Sequence, residues 1–302
     1  MKRLTSLSIF LVCVGITACS DNDSITSTPD DQDDPVAATY YYTIDHDGLQ
    51  REYILYVPAS YTGDESVPLL LNFHALGSNA EQQMLLGDFR PIADGAGFLV
   101  AHPQGTTNDQ GIRFWNIGDA VVDDVGFTAA MIDSIAASYT IDRERVFATG
   151  MSIGGFFSHH LAGSLSDEIA AIAPVSGTML QTMVGVYAPT HPTPVMHIHG
   201  TADPVVPYEE SRLFPYLSVA ELLQYWVEYN NCNPTPVITQ LPDIDPDDGT
   251  TVERFVYGGC DNNVNVEHLK IIGGSHIWPS VPGPGTNDID ASEEIWSFLS
   301  RY

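Results

Sequence analysis

Short apolar runs alternate with helix-like segments along most of this chain, and this alternation restricts the folds available to it. The runs at 68–74 and 97–102 are almost continuously apolar, which is typical of strands buried on both faces. Helical patterns at 79–95, 124–139 and 154–165 lie between such runs. Strands that alternate with helices predict an α/β fold, in which a mostly parallel central sheet carries helices on both faces.

Residues 38–302 show no break in composition and no internal repeat, so they are expected to form one domain.

The N-terminal residues differ from this domain in composition. Lys2 and Arg3 precede a short apolar run that ends in Ile16-Thr17-Ala18-Cys19. A charged start and a short apolar run predict a signal peptide over residues 1–18.

The four residues that end at Cys19 resemble a bacterial lipobox, which predicts lipidation of Cys19. The alternative is a plain signal peptide that is cut after Ala18. Residues 19–37 are polar and acidic and are interpreted as a tether. The chain is therefore expected outside the cytoplasm, as an outer-membrane lipoprotein or as a secreted protein, and the only expected membrane contact is the lipid anchor.

The charge of the chain excludes some partners. Lysine and arginine number 11 against 39 acidic residues, which gives a formal net charge of −28. Nucleic-acid binding requires a basic surface, so this composition argues against it. At 44%, hydrophobic residues are abundant enough for a large core, and the oligomeric state is left open.

A G-x-S-x-G motif surrounds Ser152, between a strand-like segment at 145–149 and the helical pattern at 154–165. This strand–turn–helix context predicts a nucleophile elbow, the sharp turn that exposes a reactive serine. A serine hydroxyl needs a base that is oriented by an acid. In chain order, Asp203 and His276 follow two later strand-like segments and complete the predicted triad.

Other histidines are interpreted differently. His159 and His160 lie within a predicted helix and are expected to pack or to face solvent. His197 and His199 lie in a predicted strand and are expected to be core residues or to support the site, and neither is expected to act as the base.

An oxyanion hole requires two N–H donors. The N–H of Ile153 follows the nucleophile, and the second donor is expected from the loop after His74, with Leu76 as first choice and Ala75 as second. Trp115 and Trp278 are candidates for the substrate pocket, and ordinary aromatic core packing is the alternative.

Cys232 and Cys260 are expected to form a disulfide in an oxidising compartment, unless both are buried free thiols. An acidic run from Asp243 ends at Gly249. A calcium loop would have glycine and glutamate at its sixth and twelfth positions, where this chain has Asp248 and Arg254. A solvated turn is expected there, and no metal site is predicted.

Ten ordered segments resemble the polyhydroxybutyrate depolymerase-like esterases, which are related to bacterial feruloyl and acetylxylan esterases. They include HALGSNA at 74–80, YTIDRERVFATGMSIGG at 139–155, HIHGTADPVVPY at 197–208 and GGSHIWP at 273–279. The resemblance implies an α/β-hydrolase fold, carboxylic-ester hydrolysis without a cofactor, the same triad, and pairing of Cys232 with Cys260. Two departures are Ala75, where the family usually has glycine, and Ile153, where asparagine is common. Because alanine tolerates the backbone angles of glycine poorly, Ala75 predicts altered oxyanion-loop geometry.

The expected substrate is an ester, either in polyester fragments or in acylated or feruloylated polysaccharide. Two other functions remain possible from the sequence: a serine peptidase of the prolyl-oligopeptidase type, and a non-catalytic carbohydrate-binding lipoprotein. The identity of the acyl group is left open.

Overall fold

A computed structural model describes residues 36–118, 122–186, 189–209, 215–280, 282–283 and 285–302. All of them belong to one compact unit, residues 34–302. The predicted signal peptide, Cys19 and all but the last two residues of the predicted tether lie outside the described residues. Among the described residues, no helix is both long enough and apolar enough to cross a membrane.

The strands of the main sheet are, in chain order, β1 (Ala38–His46), β2 (Leu49–Val57), β3 (Val67–Phe73), β4 (Leu99–Pro103), β7 (Ile141–Met151), β8 (Ala171–Val175), β9 (Val195–Gly200), β10 (Val237–Gln240), β11 (Thr251–Tyr257) and β12 (Val266–Ile272). Two short strands, β5 (Thr106–Thr107) and β6 (Arg113–Phe114), pair separately. In the described residues, the sheet order is β1-β2-β4-β3-β7-β8-β9-β12-β11-β10. The run from β4 to β12 is parallel and antiparallel strands flank it, which confirms the predicted α/β class.

The helices are α1 (Ala80–Leu86), α2 (Arg90–Ala96), α3 (Asp124–Ser138), α4 (Ile153–Ser164), α5 (Val219–Tyr229) and α6 (Ala291–Leu299). Side chains cap the N-termini of α3 and α5. The Asp123 side chain accepts from the Gly126 N–H, and Ser218 with Glu221 forms a capping box at α5.

The single helix predicted at 79–95 is wrong, because two short helices, α1 and α2, occupy this segment. The first ends at Leu86 and is capped by Gly87, where a Cβ would lie 2.8 Å from the Trp278 ring. Pro91 stands at the start of the second helix. Proline has no N–H to donate and its ring clashes with the preceding turn, so a continuous helix cannot run through Pro91.

Two apolar cores cover the two faces of the sheet. Leu69 and Leu71 of β3 join the core that contains side chains of α3, α4 and α5, whereas Leu70 joins the core that contains side chains of α2 and α6. Successive side chains of a strand point to opposite faces, so a strand buried on both faces is apolar at every position. This burial explains the continuous apolar runs in the sequence.

The parallel strands fix where the functional groups emerge. Because parallel strands end at the same edge of a sheet, the loops after β3, β7, β9 and β12 all begin at one edge. These loops carry the predicted oxyanion segment, Ser152, Asp203 and His276.

Cys232 and Cys260 form a disulfide in the structure, as predicted. Cys232 lies just after α5 and Cys260 lies just after β11, so the bond ties the end of a helix to the end of an outer strand.

Candidate active site

Ser152 occupies a sharp turn between β7 and α4. Its backbone has φ 56° and ψ −121°, a conformation that is strained for a residue with a side chain. The Ser152 N–H donates to the carbonyl of Val175 on β8 at 2.9 Å, which holds the turn against the neighbouring strand. The strand–turn–helix prediction for Ser152 is confirmed.

Close backbone contacts explain the glycines around this turn. A Cβ at Gly150 would lie 2.5 Å from the carbonyl oxygen of Phe73, and a Cβ at Gly154 would collide with the same carbonyl group. A Cβ at Gly177 would collide with the carbonyl oxygen of Ser152. Only glycine fits at these positions, because the turn packs directly on the ends of β3 and β8.

Asp203 and His276 are brought together by their loops. Nδ1 of His276 lies 2.7 Å from Oδ2 of Asp203. A carboxylate only accepts hydrogen bonds, so His276 carries a proton on Nδ1 and its Nε2 is available as a base. The two loops are joined by a hydrogen bond from the Ala202 N–H to the Gly274 carbonyl at 2.9 Å.

Asp203 is buried and ionised. Its Oδ1 accepts from the backbone N–H groups of Val205 and Val206, both at 2.8 Å. Burial alone raises the pKa of Asp203, but hydrogen bonds from His199, His276 and Val206 outweigh it and hold the pKa well below its usual range. Asp203 therefore stays an anion that can stabilise a positively charged His276.

Ser152 lies at the same edge of the sheet as the loops that carry Asp203 and His276. The hydrogen bonds among the described residues include the Asp203–His276 pair but no bond from Ser152 Oγ to His276. Such bonds often tighten only when substrate is bound. The structure thus shows the two residues predicted as acid and base in contact, with the serine at the same edge.

The loop after β3 is held by His74. The Gly105 N–H donates to Nε2 of His74 at 2.9 Å, so the ring proton lies on Nδ1, which donates to the carbonyl of Ala75 at 2.8 Å. Burial lowers the pKa of His74 to about 4, which keeps the ring neutral. In a trans peptide, the carbonyl of Ala75 and the N–H of Leu76 point in opposite directions, so His74 orients the predicted oxyanion donor.

Ala75 does not occupy a glycine-like conformation. In this loop, positive φ falls on Gly77, at 74°, and Ala75 is not among the residues with positive φ. Ala75 therefore gives no backbone reason to expect altered loop geometry, because the turn places its left-handed residue two positions later. Ile153, the other predicted donor, is the first residue of α4, where N–H groups have no partner within the helix.

The two predicted substrate-binding tryptophans are core residues. Trp115 and Trp278 are each only 1% exposed, which leaves no ring face for a substrate to contact, so this assignment is corrected. The indole of Trp115 donates to the carbonyl of His74 at 3.0 Å, and that of Trp278 donates to Ser292 at 3.2 Å. Trp115 thus holds the first residue of the predicted oxyanion loop through this hydrogen bond. No local sequence pattern indicates this contact, since its two residues are 41 positions apart.

Solved structures with this fold include an acetyl xylan esterase from Aspergillus awamori. It aligns with a TM-score of 0.64 and 14% identity over 87% of this chain and all of its own. A ferulic acid esterase from Anaeromyces mucronatus, solved with ferulic acid, aligns with a TM-score of 0.55 and 16% identity over 88% and 89% of the two chains. The chain has the α/β-hydrolase fold, as predicted.

Curated relatives include a bifunctional acetylxylan esterase/xylanase from Neocallimastix patriciarum, 29% identical over 84% of this chain and 34% of its own length. Feruloyl esterase B from Piromyces equi is 30% identical over 75% of this chain and 42% of its own. The chain thus spans less than half the length of these two relatives. Feruloyl esterase D from Neurospora crassa is 29% identical over 86% and 85% of the two chains.

The family comparison covers the elbow and the loop that carries Asp203. A family model described as esterase PHB depolymerase matches residues 51–210, which is more than half of the chain. The chain belongs to this esterase family.

Proposed function

We propose that the chain is a serine carboxylic-ester hydrolase that acts on acylated polysaccharide, with Ser152 as nucleophile, His276 as base and Asp203 as the orienting acid. The contact between His276 Nδ1 and Asp203 Oδ2 at 2.7 Å carries this proposal, because it leaves Nε2 of the imidazole free to accept a proton. The strained turn at Ser152, at the same sheet edge, supports the assignment of the nucleophile.

The proposed reaction has two stages. His276 removes the proton of Ser152 as the serine oxygen attacks the ester carbonyl, and Asp203 stabilises the imidazolium. The N–H groups of Ile153 and Leu76 bind the developing oxyanion. The alcohol leaves with the proton from His276, and water then hydrolyses the acyl-enzyme by the same acid–base steps.

The substrate class rests on the relatives, which are named as feruloyl and acetylxylan esterases. Feruloyl or acetyl groups on polysaccharide are therefore the proposed acyl groups. Polyester fragments are the other substrate class suggested by the family description.

We further propose that the chain acts outside the cytoplasm. The predicted signal peptide over 1–18, the predicted lipidation of Cys19 and the predicted tether over 19–37 would place the catalytic domain, residues 38–302, beyond the inner membrane. The disulfide between Cys232 and Cys260 supports an oxidising compartment.

The nucleophile is tested with Ser152→Ala. This change is expected to abolish hydrolysis of p-nitrophenyl acetate and labelling by a fluorophosphonate probe. Ser164→Ala, at the far end of α4, is the matched control and should leave both unchanged. Turnover that survives in Ser152→Ala would remove Ser152 from the mechanism.

The substrate class is tested with a panel of methyl ferulate, acetylated xylan, 3-hydroxybutyrate oligomers and a peptide p-nitroanilide. Preference for feruloyl or acetyl esters supports the proposal. Preference for the hydroxybutyrate oligomers would assign a polyester substrate, and preference for the anilide would assign a peptidase. Absence of both turnover and fluorophosphonate labelling would favour a non-catalytic binding protein.

A further inference from the structure

A cluster of buried histidines lies directly behind Asp203, and the mechanism above uses none of them. The cluster, called here the histidine cluster, consists of His159 on α4, His197 and His199 on β9, and His268 on β12. Neighbouring ring centroids are between 5.2 and 6.0 Å apart. Four buried imidazoles beside a functional carboxylate require an explanation, because each is a polar group removed from water.

His199 connects the cluster to the active site. Its Nε2 lies 2.8 Å from the carbonyl oxygen of Val206 and 3.4 Å from Oδ2 of Asp203. Both oxygens can only accept, so Nε2 of His199 must carry a proton. Oδ2 is also the oxygen that receives the hydrogen bond from His276, so two imidazoles converge on one carboxylate oxygen.

The contact with His197 determines whether the other ring nitrogen of His199, Nδ1, donates or accepts a hydrogen bond. Nε2 of His197 lies 3.1 Å from Nδ1 of His199. Burial, together with the neighbouring imidazoles, holds the pKa of His197 well below its usual range, so this ring carries a single proton. With that proton on Nε2, His197 donates to Nδ1 of His199, and the Nε2–H group of His199 points at Val206 and Asp203.

His268 and Tyr208 close the cluster on its other side. Nδ1 of His268 lies 2.8 Å from the carbonyl oxygen of His197 and therefore donates to it. Nε2 of His268 is then an acceptor and receives the Tyr208 hydroxyl at 2.8 Å. Burial lowers the pKa of His268 to about 3, so this ring is neutral as well.

We propose that His199 is a positioning residue for Asp203, held as a neutral Nε2–H tautomer by His197, and that it shares the negative charge on Oδ2 with His276. This proposal rests on the proposed function, since it assigns Asp203 to the triad. The backbone N–H groups on Oδ1 fix one side of the carboxylate, and the two rings fix the other. The carboxylate then cannot rotate away from His276.

The proposal predicts a pH signature as well as a loss of rate. When the donor on Oδ2 is removed, more negative charge remains to stabilise the imidazolium form of His276. The acidic limb of the pH profile of kcat/KM should therefore move to higher pH. A substitution that only destabilises the fold is not expected to move the acidic limb of the pH profile to higher pH. The titratable and charged groups that face His199 and its partners are Asp203, His276, His197, His159, His268, Tyr208, Tyr257, Lys270, Glu209 and Glu253.

Two substitutions at position 199 separate the donor from the ring. His199→Phe keeps a ring and removes both nitrogens, whereas the amide nitrogen of His199→Gln occupies the place of Nε2 and can still donate. For His199→Phe we expect kcat on p-nitrophenyl acetate to fall by roughly tenfold to a hundredfold, with KM little changed and the acidic limb moved to higher pH. For His199→Gln we expect most of kcat to return, with the limb near its original position.

A measurement without turnover tests the same proposal in the full-length chain. The imidazole ¹⁵N shifts of His199 should show a protonated Nε2 and an unprotonated Nδ1 throughout the pH range of activity. An imidazolium, or a proton on Nδ1, would overturn the proposal, and so would a folded His199→Phe variant with unchanged kcat and limb. Failure of the proposed function would appear instead in the Ser152→Ala assay, which does not depend on His199.

Discussion

Nδ1 of His74 donates to the carbonyl oxygen of Ala75 at 2.8 Å, so one buried ring orients the peptide whose N–H belongs to Leu76. The ring is itself held by the Gly105 N–H, and the His74 carbonyl is held by the indole of Trp115. The proposed oxyanion donor thus depends on contacts from two other loops.

Replacement of His74 should therefore damage catalysis more than binding. In His74→Phe, the Ala75–Leu76 peptide loses its restraint, and kcat on p-nitrophenyl acetate is expected to fall by about 10- to 100-fold with KM within about twofold, because a misplaced oxyanion donor loses transition-state contacts. The matched control is His102→Leu, which replaces a buried histidine on β4 and should leave kcat unchanged. An equal loss in both variants would contradict a specific role for His74.

Ala75→Gly should have little effect. Since Ala75 already has an ordinary backbone conformation, glycine relieves no strain there, and kcat is expected to stay within about twofold of its original value. The steady-state rate on the same ester measures this. A rise of tenfold would show that the Cβ of Ala75, and not its φ angle, restricts the oxyanion loop.

The buried ion pair between Arg51 and Asp124 should be important for stability. The guanidinium lies 2.6 Å from Oδ1 of Asp124, and Oδ2 accepts from the Asn116 N–H at 2.7 Å, next to Trp115. Asp124→Asn leaves Arg51 buried without its counter-charge, which is expected to cost about 3–5 kcal/mol in the free energy of unfolding in urea.

The exposed pair formed by Asp133 and Arg143 offers a matched comparison. Asp133→Asn removes the same charge from the same helix α3, but both partners face solvent. It is expected to cost less than about 1 kcal/mol. Equal losses in the two variants would show that burial does not increase the contribution of the Arg51–Asp124 pair to the free energy of unfolding.

The buried histidines predict a steep loss of stability in weak acid. Burial lowers the pKa to about 4 for His160 and to about 3 for His102 and His159, as it lowers that of His74 and His268. A depressed histidine pKa means that the unfolded chain takes up protons first. Stability is therefore full above pH 6.5 and falls as the pH drops from 6.5 toward 4, by about 1.4 kcal/mol per pH unit for each histidine.

Urea unfolding at pH 7.5, 6.5 and 5.5 measures this effect. Proton uptake on unfolding should reach several protons at the lowest pH. The uptake should be smaller by about one proton in His102→Leu, because leucine removes a histidine whose pKa is lowered to about 3 by burial in the folded protein. A free energy that stays constant down to pH 5.5 would contradict the prediction. Asp203 does not contribute in this window, since its pKa is lowered and its effect begins below pH 4.

Local sequence patterns predicted the parts of the site that depend on local structure. The strand–turn–helix pattern predicted the turn at Ser152, and Asp203 and His276 lie in loops that begin at the same edge because parallel strands deliver their loops there. Their catalytic roles stay predictions. The capping box at Ser218 was equally local.

Contacts between distant segments were not predictable in the same way. The sequence does not distinguish a buried tryptophan from one that lines a pocket, and Trp115 and Trp278 are both buried. The ring of Trp278, far away in sequence, lies so close to Gly87 at the end of α1 that a Cβ there would be 2.8 Å from it. The contact of His199 with Asp203 depends on how the loop after β9 folds back onto its own strand.

The tight fit of Gly150 and Gly154 against the Phe73 carbonyl has an evolutionary consequence. The serine turn and the oxyanion loop share a contact without free space, so neither can shift to suit a different acyl group. The exposed apolar side chains of Ile112 and Val205 lie outside this contact and have no such restriction. Substrate preference in descendants of this chain can therefore diverge by replacement of these outer residues, while the reaction centre is inherited unchanged.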